Sequence, residues 1–270
     1  MKDNQRLLNS AIEAARLGGD VLMRYLREGV QIRNKAAAGG KTYDLVSDAD
    51  VDSEKVIGDH LGKLFPEHEL LGEEDLEGDV NADHLWVIDP LDGTNNYAHG
   101  IPHFAVSIAH YQFGIPTVGV IYNPARNDLF TAAAGQGAFR NGERMHVCDS
   151  ASLAQTLVGC GFYYDRGAMM RSTLNAVEEF FGQDIHGIRR FGTASLDLCQ
   201  VGCGQFGAFF EYQLSPWDFA AGRLFVEQAG GKVTDGRGNP LPLEMSSLVA
   251  SNGSLHDIVI DITSRHHPEG

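Results

Sequence analysis

Asp89 and Asp92 place two carboxylates three residues apart in the stretch Trp86-Val-Ile-Asp-Pro-Leu-Asp-Gly-Thr-Asn95. The apolar lead-in Leu85-Trp-Val-Ile88 reads as a buried strand. Pro90 cannot donate to a sheet ladder, so the regular strand is expected to end there. Gly93 permits backbone angles that other residues resist. Both acids therefore fall where a rigid strand breaks into a turn, a place suited to holding hard cations. An Asx-rich turn after a core strand would look the same over these ten residues. Two further stretches put acids at element ends. Glu73 follows Leu70-Leu71 in Gly72-Glu-Glu-Asp75, sixteen positions before Asp89. Asp218 opens an apolar-periodic segment, Pro216-Trp-Asp-Phe-Ala-Ala-Gly222, and fits the first turn of a helix. Alone it reads as an ordinary N-terminal helix acid. Together the four acids describe an all-oxygen site, which favours Mg²⁺ over zinc or copper.

Glu73-Glu74, Asp89-Pro-Leu-Asp-Gly-Thr94 and Trp217-Asp-Phe-Ala-Ala-Gly222 closely resemble the three signatures of the inositol monophosphatase family, a group of magnesium-dependent, lithium-sensitive phosphatases. Asp44-Leu-Val-Ser-Asp-Ala-Asp50, Gly135-Gln-Gly-Ala-Phe-Arg-Asn-Gly142, Gly192-Thr-Ala-Ser195 and Gln228-Ala-Gly-Gly231 look like further family segments, in family order. The resemblance covers nearly the whole chain. It implies an α/β fold, a layered α-β-α-β-α sandwich of the sugar-phosphatase type with the active site between two lobes. One domain would span residues 1–270, with lobes of roughly 1–145 and 146–270.

The resemblance also implies roles. Glu73, Asp89 and the Leu91 carbonyl would hold one Mg²⁺, and Asp89, Asp92 and Asp218 a second, on the order of 4 Å away. A weaker third ion on Glu73 and water makes two or three ions per site. Asp44 and Thr94 match the water-activating pair and, with Glu73, form the catalytic set. The Gly93 and Thr94 N–H groups would receive phosphate oxygens. Gly192, Thr193, Ala194 and Glu211 match positions that meet the substrate's hydroxyls, with Asp218 beside them. Glu211 stands seven residues before Asp218, the family spacing. Its carboxylate could accept from vicinal hydroxyls, pair with an amine, or be an edge-strand surface acid. Arg189-Arg190 reads as a solvated or salt-bridged pair, as partners of acids at a subunit interface, or as a contact for a second phosphate.

The implied reaction is hydrolysis of a small phosphate monoester, foremost myo-inositol 1-phosphate, by in-line attack of a metal-activated water without a phosphoenzyme. Tyr212-Gln-Leu-Ser-Pro216 departs from the animal enzymes toward bacterial members. Histidinol phosphate and fructose 1,6-bisphosphate are therefore the alternative substrates. Some bacterial relatives act as partners of the transcription machinery, which gives a non-enzymatic alternative.

Composition narrows the partners. The 270 residues are 43% hydrophobic, enough for a large core and neither disordered nor membranous in character. No apolar run approaches the ~20 residues that span a bilayer, and Met1-Lys-Asp-Asn-Gln-Arg6 lacks an apolar signal core, so no membrane association and no export are expected. The four cysteines form no Cys-x-x-Cys pair and read as buried thiols of a cytoplasmic protein. The net charge of −15 repels nucleic acid, so no direct nucleic-acid binding is expected. It repels a phosphorylated polyol or sugar as well, which makes divalent ions a physical requirement. A homodimer is expected.

These residues need a scaffold. Residues 4–28 read as an amphipathic helix through Leu8, Ile12, Ala15, Gly19, Leu22 and Leu26, with Gly18-Gly19 at a close helix contact. A loop is expected over 34–43 and a helix over about 49–64, ending before Pro66. Strands are expected over 85–89, 105–112, 117–122, 128–133 and 138–139, with a hairpin turn at Gly114-Ile-Pro116. Further strands near 157–161, 185–190 and 206–211 alternate with helices near 168–181, 194–203 and 217–229.

Overall fold

Helix α1 (Lys2–Glu28) packs against α2 (Asp48–Leu64) through glycine. A Cβ on Gly18 would lie 2.7 Å from Ile57 Cδ1, and one on Gly19 would lie 2.8 Å from the Tyr122 ring. The expected close contact is present, which is what offsets the helix cost of two glycines. The computed structural model describes residues 2–28, 32–34, 45–163 and 165–268. Asp44 and all but the first residue of the expected 34–43 loop lie outside them.

Between α1 and α2, β1 (Ile32–Asn34) pairs antiparallel with β2 (Leu45–Ser47). A seven-stranded sheet follows: β3 (Glu69–Gly72), β4 (His84–Asp92), β5 (Ala105–Gln112), β6 (Ile115–Asn123), β7 (Asp128–Ala133), β8 (Gly137–Arg140) and β9 (Glu143–Met145), in that spatial order. Only the β3–β4 pair of this sheet is parallel. The short helix α3 (Thr94–Ala98) leaves the end of β4.

The second sheet has the order β11 (Gly187–Arg189), β10 (Leu157–Cys160), β12 (Ala208–Leu214), β14 (Ser246–Ser251), β13 (Lys232–Thr234). Helices α4 (Ala168–Phe181), α5 (Ala194–Gly202), α6 (Pro216–Gln228) and α7 (His256–Arg265), with a 3-10 turn at Leu153–Gln155, complete the described elements.

Strand alternation assigns the layers. Trp86, Ile88 and Val106 face α1 and α2, while Leu85, Val87 and Ala109 face α5 and α6. On their other side α5 and α6 meet the second sheet through Leu198, Phe219, Phe209 and Leu248. That sheet's outer face is covered by α4 and α7 through Phe180, Phe210 and Val259. The result is the expected α-β-α-β-α sandwich.

Two expectations change. The turn between β5 and β6 is Phe113-Gly114, with φ of 51° and 72°, and Ile115-Pro116 already belongs to β6. More consequentially, the strand does not end at Pro90, because β4 runs to Asp92. Its ladder with β5 pairs Asp89 with Ser107 and Asp92 with Ala105, so three steps on β4 match two on β5. This is a β-bulge, the one place inside a sheet where a missing N–H costs no ladder bond.

Candidate active site

The bulge explains how two acids three apart can act together. In a regular strand, residues i and i+3 point to opposite faces. One extra residue restores them to the same side. Oxygens of Asp89, Asp92 and Asp218 accordingly lie within 4.8 Å of one another. Leu91, between the first two, buries its side chain in the core under α1 and α2. Its carbonyl accepts the Thr94 hydroxyl at 3.2 Å, and its N–H donates to Asp89 Oδ1 at 3.0 Å. Gly93 turns the chain at φ 91°, in the left-handed region, and a Cβ there would lie 2.3 Å from Thr193 Oγ1.

Each acid has a holder. Asp92 Oδ2 accepts Ser195 N–H at 2.7 Å, from the first turn of α5. Asp218 caps its own helix by accepting Ser215 N–H at 2.6 Å, so the helix-acid reading and the site reading coexist. Glu73 lines the same cleft, and its charge raises the Asp89 pKa. The cleft encloses about 280 Å³ between the two sheets. Gly93, Thr94, Gly192, Thr193, Ala194 and Glu211 all line it. Glu211 also sits at a strand irregularity, where the β12–β14 register shifts between Glu211 and Leu214.

Electrostatics make the cleft a cation trap. Burial, then the charges of Glu73, Asp92 and Asp218, push the Asp89 carboxyl well above the ordinary range. Burial pushes Asp92 up to about 6, with the Ser195 hydrogen bonds working against it. Asp218 is raised by burial and by Asp92. Glu211 is raised by burial to about 8, with Arg190 opposing. Asp89 Oδ2 is buried and has no hydrogen-bond partner among the described residues. An orphaned carboxylate oxygen beside two more carboxylates is a costly arrangement without a cation. Mg²⁺, which takes oxygen ligands, fits this set.

Three contributors, Asp197, Asn96 and Glu54, were missed at the sequence level, and Arg190 was noted without a place in the cleft. Asp197, buried in α5, lines the cleft, and Arg190 faces it from the end of β11. Asn96 Nδ2 reaches His103 O and Phe191 O, both at 2.8 Å, and so ties α3 to the 191–193 loop. Glu54, buried in α2, accepts the N–H groups of Glu74, Asp75 and Leu76 at 3.0, 2.6 and 3.1 Å. Each looked like an ordinary helix or loop polar residue, and only tertiary packing gives it a partner. Glu54 fixes the turn that carries Glu73. Glu54→Gln, which removes the charge, is expected to raise the Mg²⁺ concentration for half-activation by about 10-fold or more. Its kcat at saturating Mg²⁺ should change much less. An unchanged Mg²⁺ activation curve would show that the turn holds itself.

The comparisons agree with this architecture. Residues 3–267 match the inositol monophosphatase family. An inositol-1-monophosphatase of Rhizobium meliloti is 38% identical over 97% of each chain. A protein of Pseudomonas aeruginosa named Nus factor SuhB is 40% identical over 98% of each. The solved inositol monophosphatase of Anabaena (Nostoc) superposes with a TM-score of 0.83 at 39% identity, covering 97% of this chain and 96% of that one. A layered α/β protein with a carboxylate cleft between its sheets is thus the class defined here. The chain belongs to the inositol monophosphatase family. Among the described residues, no helix is long and apolar enough to cross a membrane.

Proposed function

We propose that the protein is a Mg²⁺-dependent phosphatase of small phosphate monoesters, acting foremost on myo-inositol 1-phosphate. The observation that carries this reading is the trio Asp89, Asp92 and Asp218, with its unpartnered Asp89 oxygen, in the same cleft as Glu211. Bound Mg²⁺ would neutralise phosphate charge and acidify the attacking water. Glu73, Asp89 and the Leu91 carbonyl would hold one ion, and Asp89, Asp92 and Asp218 another. The Gly93 and Thr94 N–H groups orient the phosphate. Thr94 Oγ1, now bonded to Leu91 O, is placed to turn toward a water and pass its proton to an acid. We assign that acid to Asp44. Asp50 is the described alternative, buried in the first turn of α2 and close enough for its charge to be felt at Tyr97 in α3. The acid that does this work should lose roughly 10²- to 10⁴-fold in kcat on change to Asn. If Asp44→Asn stays within a few-fold and Asp50→Asn does not, the role moves to Asp50.

Glu211 selects the leaving group. It lies on β12, away from the bulge that carries the metal acids. Bound Mg²⁺ would draw Glu211 into its carboxylate form, and losing a charged hydrogen bond to substrate costs about 1.5–3 kcal/mol. Glu211→Gln should lower kcat/KM for inositol 1-phosphate by roughly 10- to 150-fold. Glycerol 2-phosphate, which lacks vicinal hydroxyls, should lose much less. Equal losses on both would place Glu211 in support of the metals.

The test of the whole reading is phosphate release across inositol phosphates, histidinol phosphate, sugar bisphosphates and nucleotides. A clear preference for histidinol phosphate would make Glu211 an amine partner. The name of the Pseudomonas aeruginosa relative favours a second reading, a binding role with the transcription machinery. Pull-down of RNA polymerase, with the panel run beside it, separates the two roles.

A further inference from the structure

Three imidazoles gather at the other end of β4, far from the carboxylates. His84 begins β4, and His110 lies on β5 opposite Trp86. His68 sits in the turn before β3, where its N–H donates to Phe65 O at 3.0 Å. One ring nitrogen from each lies within 4.8 Å of the others. Five strand steps lead from His84 to Asp89, roughly 16 Å at ~3.3 Å per residue.

One arrangement of the hydrogen bonds leaves Nε2 of His110 bare. Thr117 Oγ1 has one proton and donates it to His110 O at 3.0 Å. With that proton on His110 O, the 2.6 Å contact between Thr117 Oγ1 and His110 Nδ1 has Nδ1–H as donor. The lone pair is left on His110 Nε2, which faces His84 Nδ1 at 3.4 Å. That is long for a hydrogen bond. It equals the separation of about 3.4 Å between two nitrogens bound to one tetrahedral ion at ~2.0–2.1 Å. His68 Nδ1 is buried with no hydrogen-bond partner. Burial lowers the His68 pKa to about 4 and that of His110 to about 3, so both rings are neutral at physiological pH. His110 is fully buried, and its Nδ1 meets the Thr117 hydroxyl, the kind of hydrogen bond on the far nitrogen that holds a ligating imidazole in place. His68 and His84 are partly exposed, which leaves an entry path.

We propose that His68, His84 and His110 form a second metal site, for a divalent transition ion of the zinc class, with the fourth position open to water. Imidazole nitrogens suit Zn²⁺, Co²⁺, Ni²⁺ and Cu²⁺ and discriminate against Mg²⁺. The ion ties the turn ahead of β3 to β4 and β5, and β3 and β4 are the strands that lead to Glu73 and Asp89. Its effect is therefore on rigidity and not on chemistry.

The alternative is a ring stack without an ion, since His68 and His84 lie parallel with centroids 4.5 Å apart. Tag-free protein stripped of metal and then saturated with Mg²⁺ separates the two. Titration with Co²⁺ should give an intense tetrahedral visible band at one equivalent, displaced by Zn²⁺. Zn²⁺ should also raise the Tm. His84→Asn should weaken Co²⁺ binding by at least 100-fold while Asp92→Asn retains the band. If His84→Asn folds poorly, His68→Gln in the turn serves the same purpose. No intense band, or a band lost in Asp92→Asn and kept in the histidine variants, would overturn the proposal and leave a packing stack.

Discussion

Asp92→Asn is expected to lower kcat by roughly 10³-fold or more at saturating Mg²⁺, because a bound cation contributes several kcal/mol of transition-state charge stabilisation. Asp92 stands at the end of the bulge, where it faces Asp89 and Asp218 and is drawn toward α5 by Ser195 N–H. Asn keeps an oxygen for that N–H, so the fold should be preserved. What it loses is the charge that would hold the second ion. The first ion, on Glu73, Asp89 and the Leu91 carbonyl, should be weakened far less. Without Mg²⁺ the variant should melt at the same temperature as wild type or higher, because a buried like charge has been removed. Phosphate release and thermal melting, with and without Mg²⁺, check both halves. Activity within a few-fold of wild type would sink the assignment of the second ion.

The acids of the site were legible in the sequence because their constraints are local. Pro90, Gly93 and the start of the Asp218 helix each advertise a break in regular structure. What the break does was not legible. Pro90 reads as a strand end, yet a bulge keeps β4 going and turns Asp89 and Asp92 to one side. Bulge register depends on the neighbouring strand, and that information lies at Ala105 and Ser107. The long amphipathic α1 and the alternating second half gave the layers, since their periodicities are strong. β13, β14 and α7 were missed. Lys232–Thr234 is too short to show a period, and the turn signal Asn252-Gly253 that closes β14 was passed over. Glu54, Asn96 and Asp197 were silent for a related reason. A buried polar residue declares itself only through its partner; Glu54's partners begin 20 residues away, and Asn96 reaches Phe191, 95 residues away, as well as His103.

Mg²⁺ should stabilise the fold more as pH rises. Metal-free Asp89, Asp92 and Asp218 all have folded-state pKa values above their ordinary ones, Asp92 at about 6. The folded protein thus holds protons that the unfolded chain has released. Stability from this source is intact below about pH 4 and is lost as pH rises through about 6, with Glu211 extending the loss toward about 8. The loss is of the order of a few kcal/mol. Bound Mg²⁺ reverses it, because a carboxylate must be deprotonated to ligate and the ion then supplies the missing positive charge. Binding at 100 times Kd adds about 2.7 kcal/mol. For a chain of this size each kcal/mol is worth roughly 2–4 °C in Tm. The Tm gap between Mg²⁺ and chelator should therefore be small at pH 5 and reach roughly 5–10 °C at pH 8. Asp92→Asn should flatten the decline seen in chelator, since its position no longer titrates. A gap equal at both pH values would mean that the three carboxylates do not share a cation, and one larger at pH 5 would reverse the linkage on which the site rests.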